Sequence, residues 1–122
     1  MTQSMIQGTK IPAIVLGGTG YVAGELLRLI AAHPMVELRA VLSDSQPGEL
    51  VSKSFAHLAP VYPELMFSSL EQIKEVVGSL PKSVILSAAP HGVAAKLIDE
   101  LLTAAESKGQ DARVIDISAD YR

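Results

Sequence analysis

The chain has 122 residues, 48% hydrophobic and 19% charged, with a net charge of −3. It therefore reads as one globular domain, long enough to bury about two-thirds of its unfolded surface. It holds no cysteine, which excludes disulfides, thiolate metal sites and a thiol nucleophile within these residues, and no metal site is expected. No apolar run approaches the ~20 residues of a bilayer span, and no basic stripe marks a nucleic-acid partner.

Met1 to Lys10 is polar, carries one charged side chain and lacks the apolar centre of a signal peptide. It reads as a flexible lead-in to a domain over residues 11–122, with the cytoplasm as the default location. Ile11 to Leu16 is then an apolar run that meets Gly17-Gly18-Thr19-Gly20 and an amphipathic segment, Tyr21 to Ala32. Strand, glycine turn and helix are the opening unit of a dinucleotide-binding fold. The glycines suit that chemistry, because a Cβ would keep a pyrophosphate from the N–H groups at the helix start. Two registers fit, Gly17-x-x-Gly20-x-x-Ala23 and Gly18-x-Gly20-x-x-Ala23, and Gly20 belongs to both. A plain Gly-rich turn that binds nothing is the alternative. A P-loop is excluded, since no Gly-Lys-Ser/Thr follows.

The spacing of Val22, Leu26, Leu29 and Ile30 predicts the helix face that packs on a sheet. Pro34 stops that helix, and His33 in its last turn reads as a cap. Val36 to Leu42 is a second strand, expected to be parallel to the first. The ribose-reading group belongs about 20 residues past the glycines, where Ser43-Asp44-Ser45 stands. Asp44 would accept from a ribose 2′-OH and repel a 2′-phosphate, which leans toward NAD; the serines would donate to that phosphate, and all three also suit a simple turn. Residues 46–67 are irregular: Pro47-Gly48 is a turn, Glu49 to Phe55 a short helix, Leu65 to Phe67 a short strand, and His57 a structural residue. Ser68 and Ser69 each open a capping box, so a helix starts there, runs to Val77 and ends at Gly78.

Ser83 to Ala89 is nearly all apolar, as a parallel strand buried on both faces would be. Pro90-His91-Gly92 follows and leads into a helix from Val93 to Ser107, with Val93, Leu97 and Leu101 as its ridge. Arg113 to Ile117 is the last strand. The pattern predicts an α/β fold: a Rossmann-like, doubly wound, mostly parallel sheet with helices on both faces. Ligands then lie outside the carboxyl ends of the strands, where Gly17 to Val22, Ala89 to Gly92 and Ser118 to Arg122 converge. His91 either faces the nicotinamide region or caps its helix. Asp120 and Arg122 either anchor phosphate or pair with each other.

Six stretches occur in order: Gly17-Gly18-Thr19-Gly20-Tyr21, Glu25-Leu26-Leu27-Arg28-Leu29, His33-Pro34, Phe55-Ala56-His57-Leu58, Pro90-His91-Gly92 and Val114 to Arg122. Together they resemble the N-terminal domain of the N-acetyl-gamma-glutamyl-phosphate reductases of arginine biosynthesis. The resemblance implies NADPH-dependent reduction of an acyl phosphate to a semialdehyde, with NAD possible, through a thioester on a cysteine that these residues do not include. It assigns Gly17, Thr19, Gly20, Tyr21 and Val22 to the pyrophosphate, Ser43, Asp44 and Ser45 to the adenosine ribose, and Ala89 and Pro90 to a place beside the cofactor; Gly18, from the glycine register, and His91, from its place at the end of the strand, complete the candidate cofactor-binding residues. It implies a homo-oligomer for the full-length enzyme and a fragment here, inactive alone. Two departures stand out: Ala23-Gly24 reverses the usual glycine-then-alanine, and the basic residue often found after the second strand is missing. An aspartate-semialdehyde dehydrogenase-like domain and a non-catalytic nucleotide-sensing module are the competing readings.

Overall fold

The computed structural model of the chain describes residues 10–17, 20–43, 46–89 and 91–117. Its elements are β1 (Ile11–Leu16), α1 (Tyr21–Ala32), β2 (Val36–Val41), the single turn α2 (Val51–Ser54), a 3-10 turn (Ala56–Leu58), α3 (Leu70–Ser79), β3 (Lys82–Ser87), α4 (His91–Glu106) and β4 (Asp111–Asp116). The four strands are all parallel in the order β2-β1-β3-β4. The chain steps from β1 to one side, then crosses to the other side for β3 and β4. That reversal between β1 and β3 is the topological switch point of a doubly wound sheet.

Alternation along the strands feeds two cores. Ile14, Leu16, Leu42 and Ile85 meet Ile73 and Val77 of α3 and Ala94, Leu97, Leu101 and Ala105 of α4. On the other face, Ala13, Val15 and Val41 meet Ala23, Leu27 and Ile30 of α1, with Val51, Phe55, Leu58 and Phe67 packed alongside. Helices thus cover both faces, as the apolar pattern predicts. Among the described residues no helix is long and apolar enough to cross a membrane.

Several details differ from the sequence expectations. The buried stripe of α1 is Ala23, Leu27 and Ile30, whereas Val22 and Leu29 are about half exposed. Val93 is likewise outside the α4 ridge, and Ala94 takes its place. The capping box of α3 is Ser69 with Gln72, not Ser68, and the helix passes through Gly78 to Ser79. Gly78 lies in an ordinary helical conformation, so it is no stop signal. Residues 65–67 form no strand, only one isolated bridge, Leu50 with Met66, and Ser68 next to them makes a second with Leu42. The second bridge is held by the Ser68 N–H on the Val41 carbonyl at 2.8 Å. β3 is buried on one face only, since Val84 and Leu86 are only partly covered. His33 does cap α1: its N–H donates to the Ile30 carbonyl at 3.0 Å, and its Nδ1 accepts from the Met35 N–H at 3.0 Å.

Candidate functional site

At the switch point the chain leaves β1 through Gly17, whose φ is +80°. Only glycine takes that conformation without strain. A Cβ there would lie 2.7 Å from the Ala89 nitrogen and 2.8 Å from its Cα. The glycine therefore lets the carboxyl ends of β1 and β3 close on each other. The Ala88 N–H donates to the Leu16 carbonyl at 3.0 Å, which continues the ladder to that point.

Gly20 does a different thing. It is the N-cap of α1, with φ −85° and ψ 168°, and, having no side chain, it makes no cap bond. Among the described residues, a Cβ on Gly20 would meet no atom within 4 Å. The start of α1 lies at the carboxyl end of β1, near the Gly17–Ala89 junction, and carries the positive end of the helix dipole, about half a charge. No acidic residue stands in the first turn to compete for its N–H groups. Tyr21 is 82% exposed just past this cap, and Val22 is also exposed.

Beyond the end of β2, Ser43 is buried and its Oγ accepts from the Gln46 N–H at 3.1 Å. The Ser54 hydroxyl donates to Gln46 Oε1 at 3.0 Å. Gln46 and Ser54, which the sequence reading passed over, so form a polar wall next to Ser43. Phe55 presses that wall onto α1: a Cβ on Gly24 would lie 2.8 Å from its ring. Tyr62 adds a second anchor, its hydroxyl donating to the Leu27 carbonyl at 3.0 Å, and burial pushes its phenol pKa up. His57 stacks edge-on against Phe55 with 6.3 Å between ring centres. Glu25 lies at the border of the α1 face, paired with Arg28 at 2.8 Å; the hydrogen bond from that guanidinium lowers its carboxyl pKa.

The expected site residues are thus partly in view. Gly17, Gly20, Tyr21, Val22, Ser43 and Ala89 stand at the carboxyl ends of β1, β2 and β3. Gly18, Thr19, Asp44, Ser45 and Pro90 lie outside the described residues, as do Ser118, Asp120 and Arg122. His91 is the first residue of α4. Among the described residues no group of three or more His, Asp or Glu side chains is placed to hold a metal.

The comparisons with known proteins point the same way. Residues 12–122 match the family described as "Semialdehyde dehydrogenase, NAD binding domain". The chain is 43% identical over 108 residues to an N-acetyl-gamma-glutamyl-phosphate reductase of Ectopseudomonas mendocina, 88% of this chain and 28% of that protein. An Azotobacter vinelandii protein of the same name is 44% identical, with the same coverage of each. A Pyrococcus horikoshii protein named as a putative [LysW]-L-2-aminoadipate/[LysW]-L-glutamate phosphate reductase is 39% identical over 112 residues, 92% of this chain and 29% of that one. The chain thus spans under a third of the length of these relatives. With a family match over residues 12–122 laid on a parallel sheet of this order, the chain belongs to the NAD-binding domain family of the semialdehyde dehydrogenases.

Proposed function

We propose that this chain is the cofactor domain of an enzyme that reduces N-acetyl-gamma-glutamyl phosphate to the semialdehyde and releases phosphate. The observation that carries the reading is the space at Gly20, where among the described residues a Cβ would meet nothing, at a helix start whose N-cap has no side chain to bond its amides. A diphosphate fits there, because the backbone donors and the helix dipole both favour an anion. The N–H groups of Gly20, Tyr21 and Val22 would hold it, with Gly18 and Thr19 completing the turn. Gly17 keeps the approach narrow by seating β1 against Ala89. Ser43, Asp44 and Ser45 would meet the adenosine ribose, and Ala89, Pro90 and His91 would flank the nicotinamide. The bound dinucleotide supplies hydride; the chain contributes no cysteine, so the nucleophile comes from elsewhere and the domain alone does not turn over.

The reductase resemblance favours NADP(H), and Asp44 is the residue that would oppose it. A second reading follows from the Pyrococcus relative: phosphorylated 2-aminoadipate or glutamate carried on LysW would use the same acyl-phosphate chemistry. Calorimetric titration of the 122-residue chain with NADPH and with NADH tests the cofactor reading. Weak binding is expected, tighter for NADPH, and Asp44→Ser should increase that preference. Absence of heat with either at millimolar cofactor overturns the proposal.

A further inference from the structure

Past the carboxyl end of β2 the chain builds a small polar corner around Gln46. The Leu42 N–H donates to the Val15 carbonyl at 2.8 Å, so Ser43 lies beside the carboxyl end of β1. The Ser43 Oγ then accepts from the Gln46 N–H at 3.1 Å, which turns residue 46 back onto that strand end. Gln46 also opens a turn whose central residues are Pro47 and Gly48. Its carbonyl accepts from the Glu49 N–H at 3.1 Å, and Gly48 has a φ of +86°. Proline followed by a left-handed glycine is what a type II turn requires. The Gly48 N–H is tied in turn to the Phe67 carbonyl at 2.9 Å. The backbone of Gln46 is thereby fixed.

Its side chain is fixed as well. Oε1 accepts from the Ser54 hydroxyl at 3.0 Å. Ser54 is seated by its neighbour Phe55, whose ring occupies the space that Gly24 leaves open on α1. With the amide oxygen turned to Ser54, Nε2 is turned away from it, and among the described residues Nε2 has no acceptor. Gln46 therefore presents two N–H donors at the end of β2. Beside it, Ser43 is 5% exposed and its Oγ is already engaged as an acceptor. The hydroxyl hydrogen of Ser43 likewise has no acceptor among the described residues. A buried donor without a partner is costly, so this corner favours an acceptor brought by a ligand.

The chemistry of that ligand follows from the donor set. No lysine or arginine stands between Ala40 and Gly48, and Lys53 on α2 is paired with Glu49 at 3.6 Å. A phosphate group offers acceptor oxygens only, whereas a ribose hydroxyl also has a hydrogen to place. Donors alone match the phosphate better.

We propose that Gln46 reads the 2′-phosphate of NADP(H), donating through Nε2, and that Ser54 is its positioning residue. The proposal rests on the reading of this chain as a cofactor domain. Calorimetry on the full 122-residue chain and its variants gives the ratio of the NADH to the NADPH dissociation constant. Gln46→Glu keeps the side-chain shape and the Ser54 bond but replaces the donors with negative charge. The ratio should fall at least about tenfold, from like-charge repulsion and the lost hydrogen bond to phosphate. Ser54→Ala frees the amide to rotate and should lower the ratio about threefold. Ser54→Thr, which keeps the hydroxyl, should restore it, and Lys53→Gln should leave it unchanged.

Thermal melts show that each variant is folded. A merely structural loss weakens both dinucleotides together and leaves the ratio where it was. An unchanged ratio in Gln46→Glu therefore overturns the proposal while the cofactor reading stands. A native chain that binds NADH more tightly than NADPH overturns it as well. A ratio that falls in Lys53→Gln and not in Gln46→Glu gives the role to the lysine, and the proposal again fails. If the native chain binds neither dinucleotide, the cofactor reading falls and this proposal with it.

Discussion

The backbones of Gly17 and Ala89 lie so close that a methyl on Gly17 would sit 2.7 Å from the Ala89 nitrogen. Glycine here is a packing residue that holds the ends of β1 and β3 together, and its φ of +80° adds a second reason for it. Gly17→Ala should therefore cost about 3 kcal/mol or more, from left-handed strain plus overpacking against backbone that cannot yield. Urea denaturation of the two proteins measures this. A loss below about 1 kcal/mol would mean that the two strand ends can spread apart.

Gly20 should behave in the opposite way. Its φ of −85° suits any residue, and among the described residues a Cβ there would meet no atom. Gly20→Val should cost about 1 kcal/mol or less as a poorer N-cap. If the diphosphate lies at this corner, NADPH affinity should fall at least about tenfold, or about 1.4 kcal/mol. Thermal melts and calorimetry on the same protein separate the two effects. A stable variant with unchanged affinity would place the ligand elsewhere.

Gly24 and Phe55 form the third test. A Cβ on Gly24 would lie 2.8 Å from the Phe55 ring. Gly24→Ala gains about 1 kcal/mol of helix propensity and loses about 1–3 kcal/mol to overpacking, so the expected net is a loss. In a Phe55→Leu background the same change should become neutral or stabilising. A double-mutant cycle by urea denaturation reads the coupling directly, and zero coupling would show that the ring moves aside freely.

This contact also explains what the sequence could and could not disclose. The β–α–β order, the glycine turn and the parallel sheet were legible because each rests on local chemistry: apolar runs, Gly φ freedom and Pro stops. The rotation of α1 was not. Its apolar residues form two overlapping stripes, and hydrophobic spacing does not choose between Ala23-Leu27-Ile30 and Val22-Leu26-Leu29. The choice is made by residues far along the chain, where Phe55 and Tyr62 press on Gly24 and the Leu27 carbonyl. The reversed Ala23-Gly24 pair is read the same way, with Ala23 fully buried and Gly24 leaving room for the ring. The partial exposure of β3 was hidden too, because an apolar strand looks alike whether both of its faces are covered or only one.

Lys74 joins α3 to α4 through Glu100 at 3.0 Å, with Glu71 at 3.6 Å. The hydrogen bond to Glu100 raises the Lys74 pKa, against an opposing desolvation effect. A raised lysine pKa contributes stability that is complete below the unfolded value and is lost as pH rises through the folded one. The advantage of the native chain over Lys74→Met should therefore be constant from about pH 7 to 9 and shrink above about pH 10.5. It should also shrink in high salt, as a partly exposed pair is screened. Urea midpoints of both proteins across that range check the sign, and an advantage that grows with pH would refute it.

Ser83 shows the reverse situation, a polar group that gains nothing. It is 3% exposed on β3, and its hydroxyl has no hydrogen-bond partner among the described residues. Its backbone is held by pairing with β4, in register with Ala112, so the side chain can change without disturbing the ladder. An unpaired buried hydroxyl costs about 1–3 kcal/mol by comparison with mutational series. Ser83→Ala removes that cost and gives up one small atom's packing. The variant should be more stable by about 1 kcal/mol, read as a higher urea midpoint with an unchanged slope. A destabilised variant would mean that the hydroxyl donates to a group in the folded protein and that β3 is pinned there by a polar contact.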